Sequence, residues 1–253
     1  MIVLITLTAT QETNMGNEDS SKKAVVDYYN KYVERQSKYG INERHISILS
    51  KAIEAGLETS HDVLEIGCGI GTQTELLIKY LKSGNLYSCD ISPESIKTAK
   101  ANLNRFNNLT LEVQDATDFC LSKQFDAIIM PDVIEHIPLE LHARMFQNMN
   151  EMLKPDGFIL IHIPNPEYLE WCHENRKEIL QIIDQPIYTN LLLQNLQETD
   201  LVITQLRTYS SWVEKGDYQY IVLGRIIADF SRYVEKKIGI WKKIKYKLYG
   251  KNR

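Results

Sequence analysis

Short β-branched runs alternate with stretches of helical periodicity through most of the chain. This alternation predicts a parallel α/β sheet. Two helices are expected first, over 20–37 and 41–56. The second places Ile41, His45, Ile48, Leu49, Ala52 and Ile53 on one face. Strands are expected at 63–66, 86–89, 109–113, 126–130 and 158–163. Helices are expected at 75–81, after Ser92-Pro93, and at 139–153. Ser92 supplies an N-cap there and Pro93 the first helical position. Lys154-Pro155-Asp156-Gly157 reads as a turn. After Pro164 the alternation lapses, and 164–188 reads as a cap near the sheet's carboxyl edge. A helix at 190–198 precedes strands at 202–209 and 218–223. Their short connection, with Gly216-Asp217, favours an antiparallel hairpin.

The four cysteines, Cys68, Cys89, Cys120 and Cys172, form no C-x-x-C pair and show no metal-ligand spacing, so free thiols in a reducing cytosol and no bound metal are expected. The 253 residues carry a net charge of −4, which gives no overall basic character for nucleic acid. From Arg232 to Arg253, however, nine Lys/Arg stand against one Glu. The apolar start is too short to span a bilayer.

The chemistry concentrates in Val63-Leu64-Glu65-Ile66-Gly67-Cys68-Gly69-Ile70-Gly71-Thr72. An apolar strand breaks into glycines at alternate positions, then a helix begins. Such a loop at a strand's carboxyl end admits a ligand close to the backbone. A dinucleotide site prefers G-x-G-x-x-G and offers a helix N-terminus to pyrophosphate. Here the spacing is G-x-G-x-G, and Glu65 would repel a phosphate. The ammonium and sulfonium of S-adenosylmethionine suit that carboxylate better. Asp90 ends the second strand, where a carboxylate can accept both ribose hydroxyls, a feature that a nicotinamide cofactor shares. Asp115 follows the third strand, where it can accept the adenine amino group, and Ala116 can offer a backbone N–H. The fourth strand exits through Met130-Pro131-Asp132 towards Glu135-His136.

With VLEIGCGIG, CDIS, the Asp115-Ala116 pair, FDAIIMPDVIEH, LKPDG and IHIPNP in hand, the sequence resembles the class I S-adenosylmethionine-dependent methyltransferases over about residues 60–165. The resemblance implies a Rossmann-like, doubly wound, mostly parallel seven-stranded sheet with an antiparallel last strand. It implies that Glu65, Gly67, Cys68, Gly69 and Gly71 line the methionine end of S-adenosyl-L-methionine. Asp90 would hold the ribose, and Ile91, Asp115 and Ala116 the adenine. Met130 and Pro131 would supply wall or backbone contacts. The implied organisation is a disordered extension at 1–19, a helical cap at 20–56, the binding domain at 57–224 with its cap insertion at 164–188, and a basic helical tail at 225–253.

Methyl transfer from a sulfonium is an in-line displacement, so alignment in a partly dry site does much of the work. A hydroxyl acceptor also needs a base. His136, His162 and Asp132 are the candidates for base or acceptor orientation. His136 can equally be pocket wall, and His162 a satisfied core histidine. The Tyr28, Tyr29 and Tyr32 cluster can pack or fold over the cofactor. The expected acceptor is a small molecule or glycan, with oxygen slightly ahead of nitrogen. A nicotinamide-dependent oxidoreductase and a non-catalytic binding subunit are the alternatives. The expected location is the cytoplasm. The tail can touch an anionic membrane surface or serve as a solvated helix, and nucleic acid is disfavoured.

Overall fold

The computed structural model describes residues 22–226. The expected extension at 1–19 and the tail from 227 lie outside the described residues. No described helix is long and apolar enough to cross a membrane.

Seven strands form one sheet: β1 (Val63–Ile66), β2 (Leu86–Asp90), β3 (Leu109–Val113), β4 (Phe125–Pro131), β5 (Leu153–Pro164), β6 (Leu201–Tyr209) and β7 (Tyr218–Arg225). Their order is β3-β2-β1-β4-β5-β7-β6. The first five are parallel, and β7 runs antiparallel to both β5 and β6. The winding reverses between β1 and β4, where Val63 pairs with Leu86 on one side and Ala127 on the other. In such sheets the crevice beyond the strand carboxyl ends receives ligands.

Every residue of β1 is buried, as expected of a parallel strand covered on both faces. Side chains alternate between the two layers. Leu64, Ile128, Ile159 and Ile221 pack with Met145, Phe146 and Met149 of α5 (His142–Met152). Val63, Ala127, Leu160 and Val222 pack with Ile48 and Ala52 of α2 (Glu43–Ala55) and Leu77 of α3 (Thr72–Tyr80). Asn42 caps α2, accepting from the backbone N–H of Arg44 and His45, and the His45 ring reciprocates to the Asn42 N–H. Ser92 caps α4 (Pro93–Leu103) with Pro93 in its first turn, as the sequence predicts.

Two local expectations change. Residues 154–157 are no free turn: they belong to β5, and a register shift between Phe125 and Ala127 absorbs the irregularity. The helix expected from 139 starts at His142, behind a 3-10 turn at Leu139–Leu141, because Pro138 holds an extended backbone just before it.

A helix over 22–36, α1, precedes α2. Ser92 Oγ donates to Asn30 Oδ1 at 2.7 Å, which fastens α1 to the end of β2. The region 164–188 contains α6 (Pro166–Asn175) and a 3-10 turn at Lys177–Ile179. Gln185 pins it back onto the segment after β4: its backbone N–H donates to Glu135 O at 2.9 Å and its side chain to Ile137 O at 2.7 Å. A helix α7 (Thr189–Asn195) leads into β6.

Candidate active site

The carboxyl ends of β1, β2, β3 and β4 open into one cavity of about 1480 Å³, closed from the other side by α1, the start of α2 and residues 179–183. Its floor is the glycine loop. Gly67 and Gly69 adopt φ +81° and +53°, a region only glycine enters freely. A Cβ on Gly67 would sit 2.1 Å from Val133 Cγ2, and one on Gly69 would sit 2.8 Å from Gln36 Nε2 of α1.

Asp90 organises this floor. Its carboxylate accepts the Gly69 N–H at 2.8 Å and the Ser92 N–H at 2.9 Å. Burial pushes its carboxyl above the usual range, against the pull of those two bonds. Asp115 accepts from Thr117 N–H and Oγ1, and its other oxygen meets Lys22 Nζ at 2.5 Å. Burial opposes ionisation of Asp115, but Lys22 and Thr117 outweigh it and hold the carboxyl below its ordinary value.

Beyond β4 the backbone turns through Asp132, a non-glycine residue at φ +54°. The strain is held by double anchoring to β5: Asp132 N–H donates to His162 O at 2.7 Å, and its side chain lies 2.7 Å from His162 Nδ1. The other carboxylate oxygen pairs with Arg44 of α2. His162 Nε2 meets the Tyr209 hydroxyl at 2.6 Å, and Tyr218 stacks on the ring at 4.8 Å. Burial, with Arg44 adding to it, drives the His162 pKa well below its ordinary value. The ring is therefore neutral, with Nδ1–H donating to Asp132 and Nε2 accepting from Tyr209.

His136 sits differently. Its Nδ1 lies 2.6 Å from Ile183 O and 3.1 Å from Asp184 Oδ1, so that nitrogen is the donor. Its Nε2 faces the Gln181 amide at 2.9 Å and Glu135 Oε1 at 3.7 Å. Burial opposes protonation, yet Glu135 and Asp184 together raise the pKa above that of a free histidine. The Tyr29 ring of α1 lies 6.2 Å away.

These strands, this crevice and these carboxylates lie where residues 63–157 match a family described as a methyltransferase domain. That match spans 95 of the 253 residues and agrees with the resemblance of the motifs to the class I S-adenosylmethionine-dependent methyltransferases. Among curated proteins, the chain is 27% identical over 139 residues to malonyl-[acyl-carrier protein] O-methyltransferase 2 of Ilyobacter polytropus, covering 55% of this chain and 53% of that one. It is 31% identical over 120 residues to nodulation protein S of Azorhizobium caulinodans, covering 47% and 56%. The chain thus spans about half the length of these relatives. Among solved structures, magnesium protoporphyrin IX methyltransferase of Synechocystis PCC 6803, with bound SAH, superposes with a TM-score of 0.65 at 17% identity, covering 81% of this chain and 100% of that one. The N-methyltransferase NodS of Bradyrhizobium japonicum, with S-adenosyl-L-homocysteine, gives 0.60 at 19%, covering 78% and 98%. Both carry the same fold.

Within the methyltransferase domain, the cavity is lined by Gly67, Cys68, Gly69, Asp90, Ile91, Asp115, Ala116 and Pro131, together with Asp132 and His136. Four other expected residues do not line it. Glu65 is 0% exposed beneath the loop, accepting from Ser88 Oγ at 2.7 Å, and burial lifts its carboxyl to about 7. Gly71 caps α3 and packs against Leu103. Met130 is core, and His162 is closed off by Asp132, Tyr209 and Tyr218. Tyr29 and Tyr32 do line the cavity, whereas Tyr28 does not. Gln36, Arg44, Gln181 and Trp212 also line it, and nothing in their local sequence marks them. All four cysteines are free, and only Cys120 is exposed.

Proposed function

We propose that this protein is a methyltransferase that moves a methyl group from S-adenosyl-L-methionine to a small-molecule or glycan acceptor. One observation carries the reading. The glycine loop and the strand-end carboxylates Asp90 and Asp115 face one cavity, and neither Lys nor Arg lines it from Ile66 to Gln73. A phosphate would lack a cationic partner at that loop, whereas a phosphate-free nucleoside finds acceptors for its ribose and amino group.

The residues present fit the cofactor. Gly67 and Gly69 leave backbone open at the methionine end, Asp90 receives the ribose, and Ile91, Asp115 and Ala116 border the adenine. When bound, the cofactor supplies an electrophilic methyl group on a sulfonium. The protein's part is to exclude water, align the acceptor and manage its proton. His136 is the group placed to take that proton, because Nδ1 is committed to Ile183 O and the Nε2 lone pair, which accepts from the Gln181 side-chain amide, is the ring's basic site beside the cavity. At about 1480 Å³ the cavity exceeds the roughly 300–1,000 Å³ of an ordinary single-ligand pocket and has room for donor and acceptor together.

Calorimetry tests the reading. S-adenosylhomocysteine should bind, NADH should not, and Asp90→Ala should weaken binding by at least about tenfold through loss of charge-assisted hydrogen bonds. Heat from NADH alone would overturn it.

A further inference from the structure

One group of atoms behind the cavity wall has polar capacity that the cofactor does not use. Glu135 is 1% exposed, and neither carboxylate oxygen has a hydrogen-bond partner among the described residues. The same holds for Gln181 Oε1 and the Tyr29 hydroxyl, both buried. All three side chains converge on His136: Glu135 at 3.7 Å, Gln181 at 2.9 Å, and Tyr29 ring to ring at 6.2 Å. Leaving buried oxygens unbonded is costly, and most costly for a carboxylate.

We infer that the acceptor is an amine, received as its ammonium in the space bounded by Tyr29, His136 and Gln181, with Glu135 taking its N–H groups. This rests on the methyltransferase reading and names the substrate class of the same site. The stoichiometry of donors decides between amine and hydroxyl. With Glu135 ionised, the cluster offers at least three acceptor oxygens, two on Glu135 and one on Gln181. A hydroxyl donates once, and an ammonium three times. Charge points the same way. The carboxyl groups of Glu135 and Asp184 both face the single imidazole of His136. The Arg44 guanidinium, whose charge reaches Glu135, is already committed to Asp132. Burial lifts the Glu135 carboxyl to about 7, so an incoming cation favours its ionised form.

The step balances as follows. The ammonium displaces the Gln181 N–H from His136 Nε2, and that nitrogen takes one of its protons. The freed nitrogen lone pair forms the N–CH₃ bond while the methyl–sulfur bond breaks, its electron pair going to sulfur. The product leaves as a methylated ammonium still paired with Glu135, and His136 passes its proton to solvent.

The test uses the full chain, with and without saturating S-adenosylhomocysteine, and methylammonium chloride as probe. Sodium chloride at equal ionic strength and methanol at equal concentration are the controls. The readout is the His136 imidazole resonances in histidine-labelled protein. Methylammonium should shift them saturably, and neither control should. Glu135→Gln should weaken the effect at least tenfold, and Gln181→Leu should weaken it less. Equal responses to methylammonium and sodium, a saturable response to methanol, or full retention in Glu135→Gln would overturn the inference. Failure of S-adenosylhomocysteine to bind would remove the methyltransferase reading separately, since the titration without it still reports on the cluster.

Discussion

Lys22 of α1 holds Asp115, at the end of β3, by an ion pair of 2.5 Å across the rim of the cavity. The same carboxylate is the one assigned to the adenine amino group, so the helix and the nucleoside compete for it. Lys22→Ala should therefore tighten S-adenosylhomocysteine binding two- to fivefold, consistent with the roughly 0–1 kcal/mol of a half-exposed pair. Titration calorimetry reads this directly, and weaker binding in the variant would show that Lys22 serves the ligand instead.

The proton-handling role of His136 predicts a pH profile. Its pKa is raised, so the unprotonated base accumulates only above the ordinary histidine value of 6.5. Turnover should climb with pH through an apparent midpoint above 6.5, one that belongs to His136 and Glu135 jointly. His136→Gln should lower the plateau about 100-fold, the size expected for loss of a general base, with cofactor affinity unchanged. A plateau within twofold of wild type would reduce His136 to wall.

Glu65 predicts a stability profile. Burial raises its carboxyl from 4.5 to about 7 in the folded protein. The folded state then binds the proton more tightly than the unfolded chain. The stabilisation is complete below pH 4.5 and is lost as pH rises through about 7. Glu65→Gln keeps an acceptor for Ser88 without the charge. It should match wild type at pH 4 and exceed it by up to about 3 kcal/mol at pH 8, by the conversion of about 1.4 kcal/mol per pKa unit. Denaturant midpoints at the two pH values measure the difference, and a gap independent of pH would refute the assignment.

Gly67 and Val133 form a coupled pair, because a Cβ on Gly67 would strike Val133 Cγ2. Gly67→Ala should cost about 1–3 kcal/mol from the clash, with strain at φ +81° in addition. In the double variant Val133→Ala should recover the clash but not the strain. A double-mutant cycle reports the coupling, and strictly additive effects would contradict it.

Much of this arrangement was legible in the chain. The strands at 63–66 and 109–113 match residue for residue, because β-branched runs between polar segments define them sharply. The strand ends were legible too, which is why Asp90 and Asp115 fall at the cavity. The facing of individual side chains was harder to read. Glu65 shares the face of Val63 and so turns beneath the loop, while Met130 shares that of Ile128 in the core, since side chains alternate along a strand. A shift of one position separates lining from core. Gln36, Arg44 and Gln181 were invisible for another reason. Their roles depend on how α1, α2 and the 179–183 segment dock, and no local pattern encodes that.

The cavity's two ends have different origins in the chain. The end proposed for the donor is written in one contiguous stretch, between the glycine loop and the turn after β4. The opposite wall comes from α1 and the start of α2 on one side of that stretch and from residues 179–183 on the other, well over a hundred positions later. Substrate choice can therefore diverge through the flanks while the donor machinery stays intact. Grafting those two segments together onto a relative's sheet should carry the acceptor preference with them, and grafting either one alone should not.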